Sequence, residues 1–209
     1  SQAGLSVSGG DPLDNALATE TIHWSVEDYR AALANLPEKL RQDLHDVWGD
    51  PSLDKTVKND TFEFAATKRG NLLIALQPER GSDADREDEY HDLARTPRHS
   101  YVAFYLWLQQ QFDAHAIVHV GAHGTLEWLP GKSVALSGEC WPEVLTGHRP
   151  VIYPFIVNDP GEAAQAKRRI GAITLGHVPP PLKESAAPQQ FAILENLLDE
   201  FSNADGLDP

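Results

Sequence analysis

Apolar and polar positions follow two different periods along this chain, and the change of period separates predicted helices from predicted strands. Apolar residues recur at helical spacing through 29–36 and again through 40–47. Ser25 precedes the first stretch as a favourable N-cap, and Pro37 opens the second where proline is tolerated. The sequence therefore predicts two consecutive helices. Residues 1–24, which are rich in Ser, Gly and Asp, are predicted to form a linker or a terminal extension.

Strand-like patterns predict four strands of one sheet, near 62–66, 72–76, 116–120 and 133–136. A turn separates the first two strands, which are predicted to form a hairpin or to lie side by side. A strong amphipathic helix pattern over 102–112 lies between the second and third of them, and the order strand, helix, strand is typical of parallel sheets. We therefore predict an α/β fold with a mostly parallel sheet flanked by helices. In such folds ligands bind at the carboxyl ends of the strands, so the functional site is predicted there.

The second half of the chain carries fewer regular patterns. The apolar run 151–157 contains Pro154, which indicates an edge strand or a bulge. A helix is predicted to begin at Asp159, and another over 191–201. The predicted organisation is one α/β domain over 25–182 followed by a truncated C-terminal helical segment over 183–209.

The composition of the chain narrows the classes of protein to which it can belong. The chain has 209 residues, of which 41% are hydrophobic and 23% charged, as in ordinary globular proteins. Its net charge of −14 argues against binding nucleic acid or acidic membranes. A single cysteine, Cys140, allows no internal disulfide, which fits a reducing compartment. No apolar run is long enough to span a membrane and no signal pattern opens the chain, so we expect a cytoplasmic protein.

The chemistry-bearing residues concentrate between 115 and 132. His119 is predicted to lie at the carboxyl end of a strand, His123 in the loop after it, and Glu127 on a short helical turn capped by Thr125. Two imidazoles and a carboxylate suit cobalt, nickel or zinc. The apolar neighbours of Glu127 are expected to raise its pKa, which favours proton transfer near neutral pH. The alternative to a metal or proton-transfer site is that these histidines are hydrogen-bonded residues of the core or its rim.

Two familiar motifs are excluded in the same segment. His119 and His123 have the spacing of a zincin pair, but Val120 stands where that motif has glutamate and the surrounding glycines disfavour a continuous helix. Residues 130–133 look like the end of a phosphate-binding loop, but Leu126 occupies the position of its first glycine. The sequence therefore predicts no nucleotide site here.

The segment H-V-G-A-H-G-T-L-E-W-L-P-G-K resembles the signature of the large subunit of aerobic cobaltochelatase, and more distantly that of magnesium chelatase. Further similar motifs are Q-P-x-x-G at 77–81 and N-D-P-G-E-x-x-Q-A-K-R-R at 158–169. One departure is Arg86, where the family often has proline. The resemblance covers roughly 26–209, whereas large subunits of this family are several times longer. We therefore predict a fragment of such a subunit.

This resemblance implies ATP-dependent insertion of Co2+ into hydrogenobyrinic acid a,c-diamide, a corrin, in cobalamin biosynthesis. It implies two partners, an AAA+ ATPase subunit that uses ATP and Mg2+ and a subunit that bridges to it. His119, His123 and Glu127 are then both the catalytic residues and the metal-ligand set, with Glu127 as proton acceptor. The predicted substrate-binding residues are Gln77, Arg80, Asp83, His91, His99, Lys132, Asn158, Glu162, Lys167 and Arg168.

Several of these assignments have alternatives. His99 fits a ligand role because a helix N-terminus keeps an imidazole neutral, but it fits simple capping nearly as well. Lys167, Arg168 and Arg169 fit the carboxylate arms of a corrin, or a favourable helix C-terminus. For the whole chain the alternatives are magnesium insertion into a porphyrin, a non-catalytic metal- or tetrapyrrole-binding scaffold, and a zinc hydrolase that uses His119, His123 and Glu127.

Overall fold

The computed structural model describes residues 20–81, 93–121, 124–154, 156 and 159–176, and, nearer the C-terminus, 193–194, 196–198 and 200–201. The chain divides into two compact units, residues 1–177 and 178–209. The described residues of the second unit are all helical, in agreement with the helix predicted there. No described helix has the length and apolar character that crossing a membrane requires.

Four strands of the first unit form an antiparallel sheet around β3 (Thr61–Arg69). Strands β1 (Glu20–Ser25) and β2 (Val57–Lys58) flank β3, while β4 (Leu72–Ala75) pairs with its second half across a tight turn at Gly70. The predicted hairpin is therefore confirmed. The predicted linker over 1–24 is wrong at its end, because β1 begins inside it and completes the sheet edge.

Both predicted N-terminal helices are present. Helix α1 (Val26–Leu33) begins after Ser25, whose hydroxyl oxygen accepts a hydrogen bond from the backbone N–H of Asp28. Helix α2 (Glu38–Trp48) follows Pro37 and ends at a glycine with positive φ. Their apolar faces pack into the same core as β3, which explains why the helical period was visible in the sequence.

Helix α3 (His99–Gln110) runs through the centre of the first unit. The predicted apolar face of Val102, Tyr105, Leu106 and Leu108 is buried, as expected. Every residue from His99 to Leu106 is buried as well, so the helix is covered on all sides over its first two turns instead of being amphipathic there. Its N-terminus is held by Asp54, which accepts a hydrogen bond from the Ser100 backbone N–H at 3.1 Å and pairs with Arg98 at 3.3 Å. A buried carboxylate at a helix N-terminus is favourable because it meets the positive end of the helix dipole.

A second sheet has three parallel strands in the order β5 (Ile117–Val118), β6 (Val151–Pro154) and β7 (Ile173–Leu175). Helices α4 (Trp141–Thr146) and α5 (Pro160–Ile170) lie in the connections between them. A parallel pair requires such a crossover, which explains why strands and helices alternate in this half. The helix predicted to begin at Asp159 is confirmed as α5.

Three fold predictions need correction. The strands near 62–66 and 72–76 belong to the antiparallel sheet, whereas 117–118 belongs to the parallel one, so the described fold is mixed α/β rather than mostly parallel. Residues 133–136 form bends and irregular backbone instead of a strand. Strand β6 is central instead of an edge, because Pro154 is its last residue and ends the ladder without interrupting it.

Candidate functional site

The site is built around one short turn, residues 124–129, which we call the Glu127 turn. Its centre is a single 3-10 helical turn, Leu126–Trp128. Leu126 and Leu129 are buried in the main core and fix the turn from both ends. The side chain between them, Glu127, is fully buried at 0% exposure. The sequence prediction of a short turn that places a desolvated carboxylate is therefore confirmed.

Burial is the main cause that raises the pKa of Glu127 to about 7, because a charged carboxylate loses its hydration there. The nearby carboxylate of Glu162 raises it further. The backbone N–H groups of Glu127 and Gly124 and the hydroxyl of Tyr153 act in the opposite direction, since they stabilise the charged form. The carboxyl is thus poised to gain and lose a proton near neutral pH.

Gly124 allows the carboxylate to approach its neighbours. A Cβ built on this glycine would overlap the Tyr153 hydroxyl and would lie 2.8 Å from each carboxylate oxygen of Glu127. The sequence indicated only that Gly124 ends a strand and permits a tight turn. The structure gives a more specific reason, which is that any side chain at 124 would occupy the space that the tyrosine and the glutamate share.

His119 directly follows β5, and its backbone N–H donates to the carbonyl of Ile152 at 2.8 Å. It therefore lies at the carboxyl end of a parallel strand, as predicted. Its imidazole stacks on the ring of Tyr153, with centroids 4.8 Å apart and ring planes 21° from parallel. Burial lowers the pKa of His119 to about 4, so its imidazole is neutral at physiological pH. A neutral imidazole is the form that binds metals.

Two side chains from α5 complete the surroundings of the Glu127 turn. Glu162 is buried and accepts a hydrogen bond from the Trp128 indole N–H at 2.5 Å. Arg169 is also buried and donates to the backbone carbonyl of Glu127 at 2.6 Å and to that of Lys132 at 3.1 Å. Helix α5 thus holds the chain at Glu127, Trp128 and Lys132, and it brings a cation next to the turn.

A buried hydrogen-bond network joins the turn to the antiparallel sheet. The Gln77 side chain donates to the Thr125 hydroxyl at 2.8 Å and accepts from the Tyr105 hydroxyl at 2.7 Å. The hydroxyls of Tyr101 and Thr125 lie 2.8 Å apart. Burial raises the pKa of both tyrosines, so they remain neutral donors. Gln77, which lies two residues after β4, thereby contacts the Glu127 turn.

His99 lies elsewhere. It is 1% exposed, its Nε2 donates to the carbonyl of Gly49 at 3.1 Å, and its Nδ1 accepts from the Tyr29 hydroxyl at 2.9 Å. Burial lowers its pKa and favours the neutral form, and the Gly49 carbonyl selects the tautomer with the proton on Nε2. Because both ring nitrogens are engaged inside the fold, we no longer assign His99 to substrate binding. Its place is the junction of α1, α2 and α3.

The remaining predicted residues fall into three groups. Arg80 is buried and donates to the carbonyl of Arg95 at 3.2 Å. Lys132, Lys167 and Arg168 have exposed side chains. Four predicted site residues lie outside the described residues: Asp83, His91, His123 and Asn158. Among the described residues, no group of three or more His, Cys, Asp and Glu side chains is arranged to hold a metal ion.

Sequence reasoning missed Tyr153, and it grouped Arg169 with Lys167 and Arg168 instead of placing it against the Glu127 turn. In the sequence Tyr153 is only one residue of an apolar run, whereas in the structure Val151 and Tyr153 alternate with less buried neighbours, as in a strand with one buried face. Arg169 carried a signal of its own: Glu162, Ala166 and Arg169 share a helical face, and all three are buried. An arginine on a buried face usually makes specific hydrogen bonds, which distinguishes it from Lys167 and Arg168.

Comparison with known proteins agrees with these features. A family model described as CobN/Magnesium Chelatase matches residues 6–209. The CobN protein of aerobic cobaltochelatase from Pseudomonas aeruginosa is 47% identical over 185 residues, which are 88% of this chain and 15% of that protein. The H protein of magnesium chelatase from Chlorobaculum parvum is 38% identical over 87% of this chain and 14% of that protein.

A solved structure described as the catalytic subunit of cobaltochelatase from Mycobacterium tuberculosis also matches, with a TM-score of 0.72 and 41% identity. The match covers 90% of this chain and 17% of that one. The class common to these relatives is the metal chelatases. The chain belongs to the CobN/Magnesium Chelatase family, which confirms the resemblance seen in its motifs. It spans about 15% of the length of the curated relatives it matches.

Proposed function

We propose that this chain forms part of the catalytic region of a cobaltochelatase large subunit, which inserts Co2+ into hydrogenobyrinic acid a,c-diamide. The observation that carries the proposal is the juxtaposition of Glu127, with its pKa near 7, and the neutral imidazole of His119, both next to Tyr153. The 47% identity to a cobaltochelatase protein supports cobalt as the metal. Imidazole ligands also favour cobalt, because Mg2+ prefers oxygen.

Metal insertion requires two chemical events. The incoming Co2+ exchanges water ligands for ring nitrogens, and the two N–H bonds of the ring break, releasing two protons. Ionised Glu127 accepts these protons one after the other and passes each to solvent between the steps. A carboxyl with a pKa near 7 suits this cycle, since it binds and releases protons with little free-energy cost at neutral pH.

His119 and His123 hold the incoming Co2+ through neutral nitrogens in this proposal. Glu127 acts as the proton acceptor in this proposal, because its raised pKa suits proton transfer near neutral pH. Lys132, Lys167 and Arg168 bind the carboxylate arms of the ring in this proposal, and the exposure of their side chains supports this role. Gln77, Arg80, Asp83, His91, Asn158 and Glu162 remain proposed substrate-binding residues.

The proposal includes the partner subunits. An AAA+ ATPase subunit would hydrolyse ATP with Mg2+, and a bridging subunit would connect it to the large subunit, all in the cytoplasm. The nucleotide therefore binds outside this chain. In this proposal the chain itself supplies the groups that handle the metal ion and the protons.

The proposed function is tested by measuring which metal ion is inserted and into which ring. The full-length subunit, assembled with its two partner subunits and supplied with ATP, is incubated with each metal and each ring. Cobalt insertion into the corrin is expected to exceed magnesium insertion into protoporphyrin by about 100-fold or more, as expected for sites with different ligand preferences. Preferential magnesium insertion would support the second candidate, to which the 38% identity with a magnesium-chelatase protein points. Ring binding without insertion of either metal would support a scaffold.

Turnover should depend on the ionisation of Glu127. Because its pKa is raised, the carboxyl is protonated and inactive as a base below about pH 7 and ionised above it. The value of kcat/KM for cobalt is therefore expected to rise with pH through an apparent pKa of about 7. His119 adds no change in this range, since its pKa of about 4 keeps it neutral throughout. A profile measured from pH 5.5 to 9 that is flat would contradict the role of Glu127.

A further inference from the structure

Tyr153 occupies a central place between the two groups that the proposed function uses. It lies on β6, the middle strand of the parallel sheet, and its side chain is 0% exposed. The strand is held on both sides, because Ile152 pairs with Val118 and Ile173. A side chain on such a strand has little freedom to move, so it is suited to fix the position of its neighbours.

The ring of Tyr153 meets His119. The two rings are offset by 4.8 Å between centroids and lie within 21° of parallel, so the tyrosine covers one face of the imidazole. The backbone N–H of His119 is bonded to Ile152, the residue before Tyr153. Both the main chain and the ring plane of His119 are therefore set by β6. A stacked ring limits rotation of the imidazole about its side-chain bonds and fixes the directions of its nitrogen lone pairs.

The hydroxyl end of Tyr153 meets the Glu127 turn. It lies so near the Cα of Gly124 that a Cβ there would overlap it, and the same Cβ would be 2.8 Å from both carboxylate oxygens of Glu127. One side chain thus reaches the imidazole with its ring and the neighbourhood of the carboxylate with its oxygen. No sequence motif that identified the site includes this residue.

We propose that Tyr153 is a positioning residue that fixes the imidazole of His119 relative to the carboxylate of Glu127. This inference rests on the proposed function, in which the imidazole holds Co2+ and the carboxylate accepts ring protons. Metal insertion needs both groups at a set distance from the same ring, because an error of about 1 Å in placement costs up to 100-fold in rate. Tyr153 is buried, so it acts through its two neighbours without touching the substrate.

Two substitutions separate the two halves of this role. Tyr153→Phe keeps the ring and removes the hydroxyl, so it is expected to lower kcat about tenfold and leave the half-saturating cobalt concentration within about twofold. Tyr153→Leu also removes the stacked ring, so it is expected to raise the half-saturating cobalt concentration about fivefold or more. Both are measured in the full-length subunit assembled with its partners.

Tyr29→Phe is the matched control. It also removes a buried hydroxyl, one that is hydrogen-bonded to His99 at 2.9 Å away from the Glu127 turn. We expect Tyr29→Phe to lower the melting temperature and to leave kcat and the cobalt half-saturation within about twofold of the wild-type values. This control separates a loss of stability from a loss of positioning.

The separate effects on kcat and on the half-saturating cobalt concentration decide whether Tyr153 is a positioning residue. A wild-type kcat for Tyr153→Phe, or an unchanged cobalt half-saturation for a folded Tyr153→Leu, would overturn it. If Tyr153→Leu does not assemble, Tyr153→Phe decides alone through kcat. If Glu127→Gln is inactive while both Tyr153 variants match the wild type, only this inference fails. If Glu127→Gln is fully active, the proposed function of Glu127 fails instead.

Discussion

Replacing Glu127 with glutamine is expected to reduce cobalt insertion by about 100-fold or more, with little change in corrin binding. Glutamine keeps the size of the side chain, so the packing of the fully buried position is preserved. It cannot accept a ring proton, and it abolishes the rise of kcat/KM through about pH 7. The measurement is single-turnover metal insertion in the assembled complex, together with fluorescence titration of the corrin.

Glu139→Gln provides the matched control, because Glu139 is an exposed glutamate on the loop that follows the same turn. It is expected to insert cobalt at the wild-type rate. Wild-type turnover of Glu127→Gln from pH 6 to 9 would show that Glu127 is not the proton acceptor. The role would then pass to the acidic segment around Asp83, since His99 has both ring nitrogens engaged inside the fold.

Local patterns predicted most elements of the fold. The helices α1 and α2, the β3–β4 hairpin and the 3-10 turn at Glu127 each follow from neighbouring residues: an N-cap, a glycine with positive φ, or a short apolar repeat. The division into two sheets did not follow. Whether the strand at 117–118 pairs with 151–154 or with 72–75 depends on contacts between distant residues, which a local period does not contain.

The same distinction applies to the site. His119 and Glu127 were recognisable because they stand in one short segment with turn residues around them. Tyr153 and Arg169 reach that segment from β6 and α5, which follow it in the chain, and their role depends on the crossover that brings these two elements beside it. The motif at 77–81 points to Gln77, but only the structure shows its hydrogen bond to the hydroxyl of Thr125.

The main error about α3 has a physical cause. The helix begins three residues before the predicted stretch, and its first turn carries the polar groups of His99 and Tyr101, which are buried because each finds a hydrogen-bond partner. A helix whose polar groups are satisfied internally can be covered on every side. Binary patterning treats such residues as exposed and therefore predicts an amphipathic helix.

Replacing Gly124 with alanine is expected to lower the kcat of cobalt insertion by about 100-fold or more, because misplaced catalytic groups cause losses of that size. The added methyl would overlap the Tyr153 hydroxyl and press on both Glu127 oxygens, which lie 2.8 Å from its position. Either the tyrosine or the carboxylate must then move. Inserting a methyl group into packed surroundings also destabilises a fold by about 1–3 kcal/mol, so the melting temperature should fall.

Gly138→Ala is the control for this change, because a Cβ at Gly138 meets no heavy atom within 4 Å among the described residues. We expect it to keep wild-type insertion and to leave the melting temperature nearly unchanged. A Gly124→Ala subunit with wild-type kcat would contradict the close approach of Tyr153 and Glu127. An unfolded Gly124→Ala subunit would support the overlap. In that case the double variant Tyr153→Phe, Gly124→Ala, which removes the overlapping oxygen, is expected to fold but to remain low in turnover.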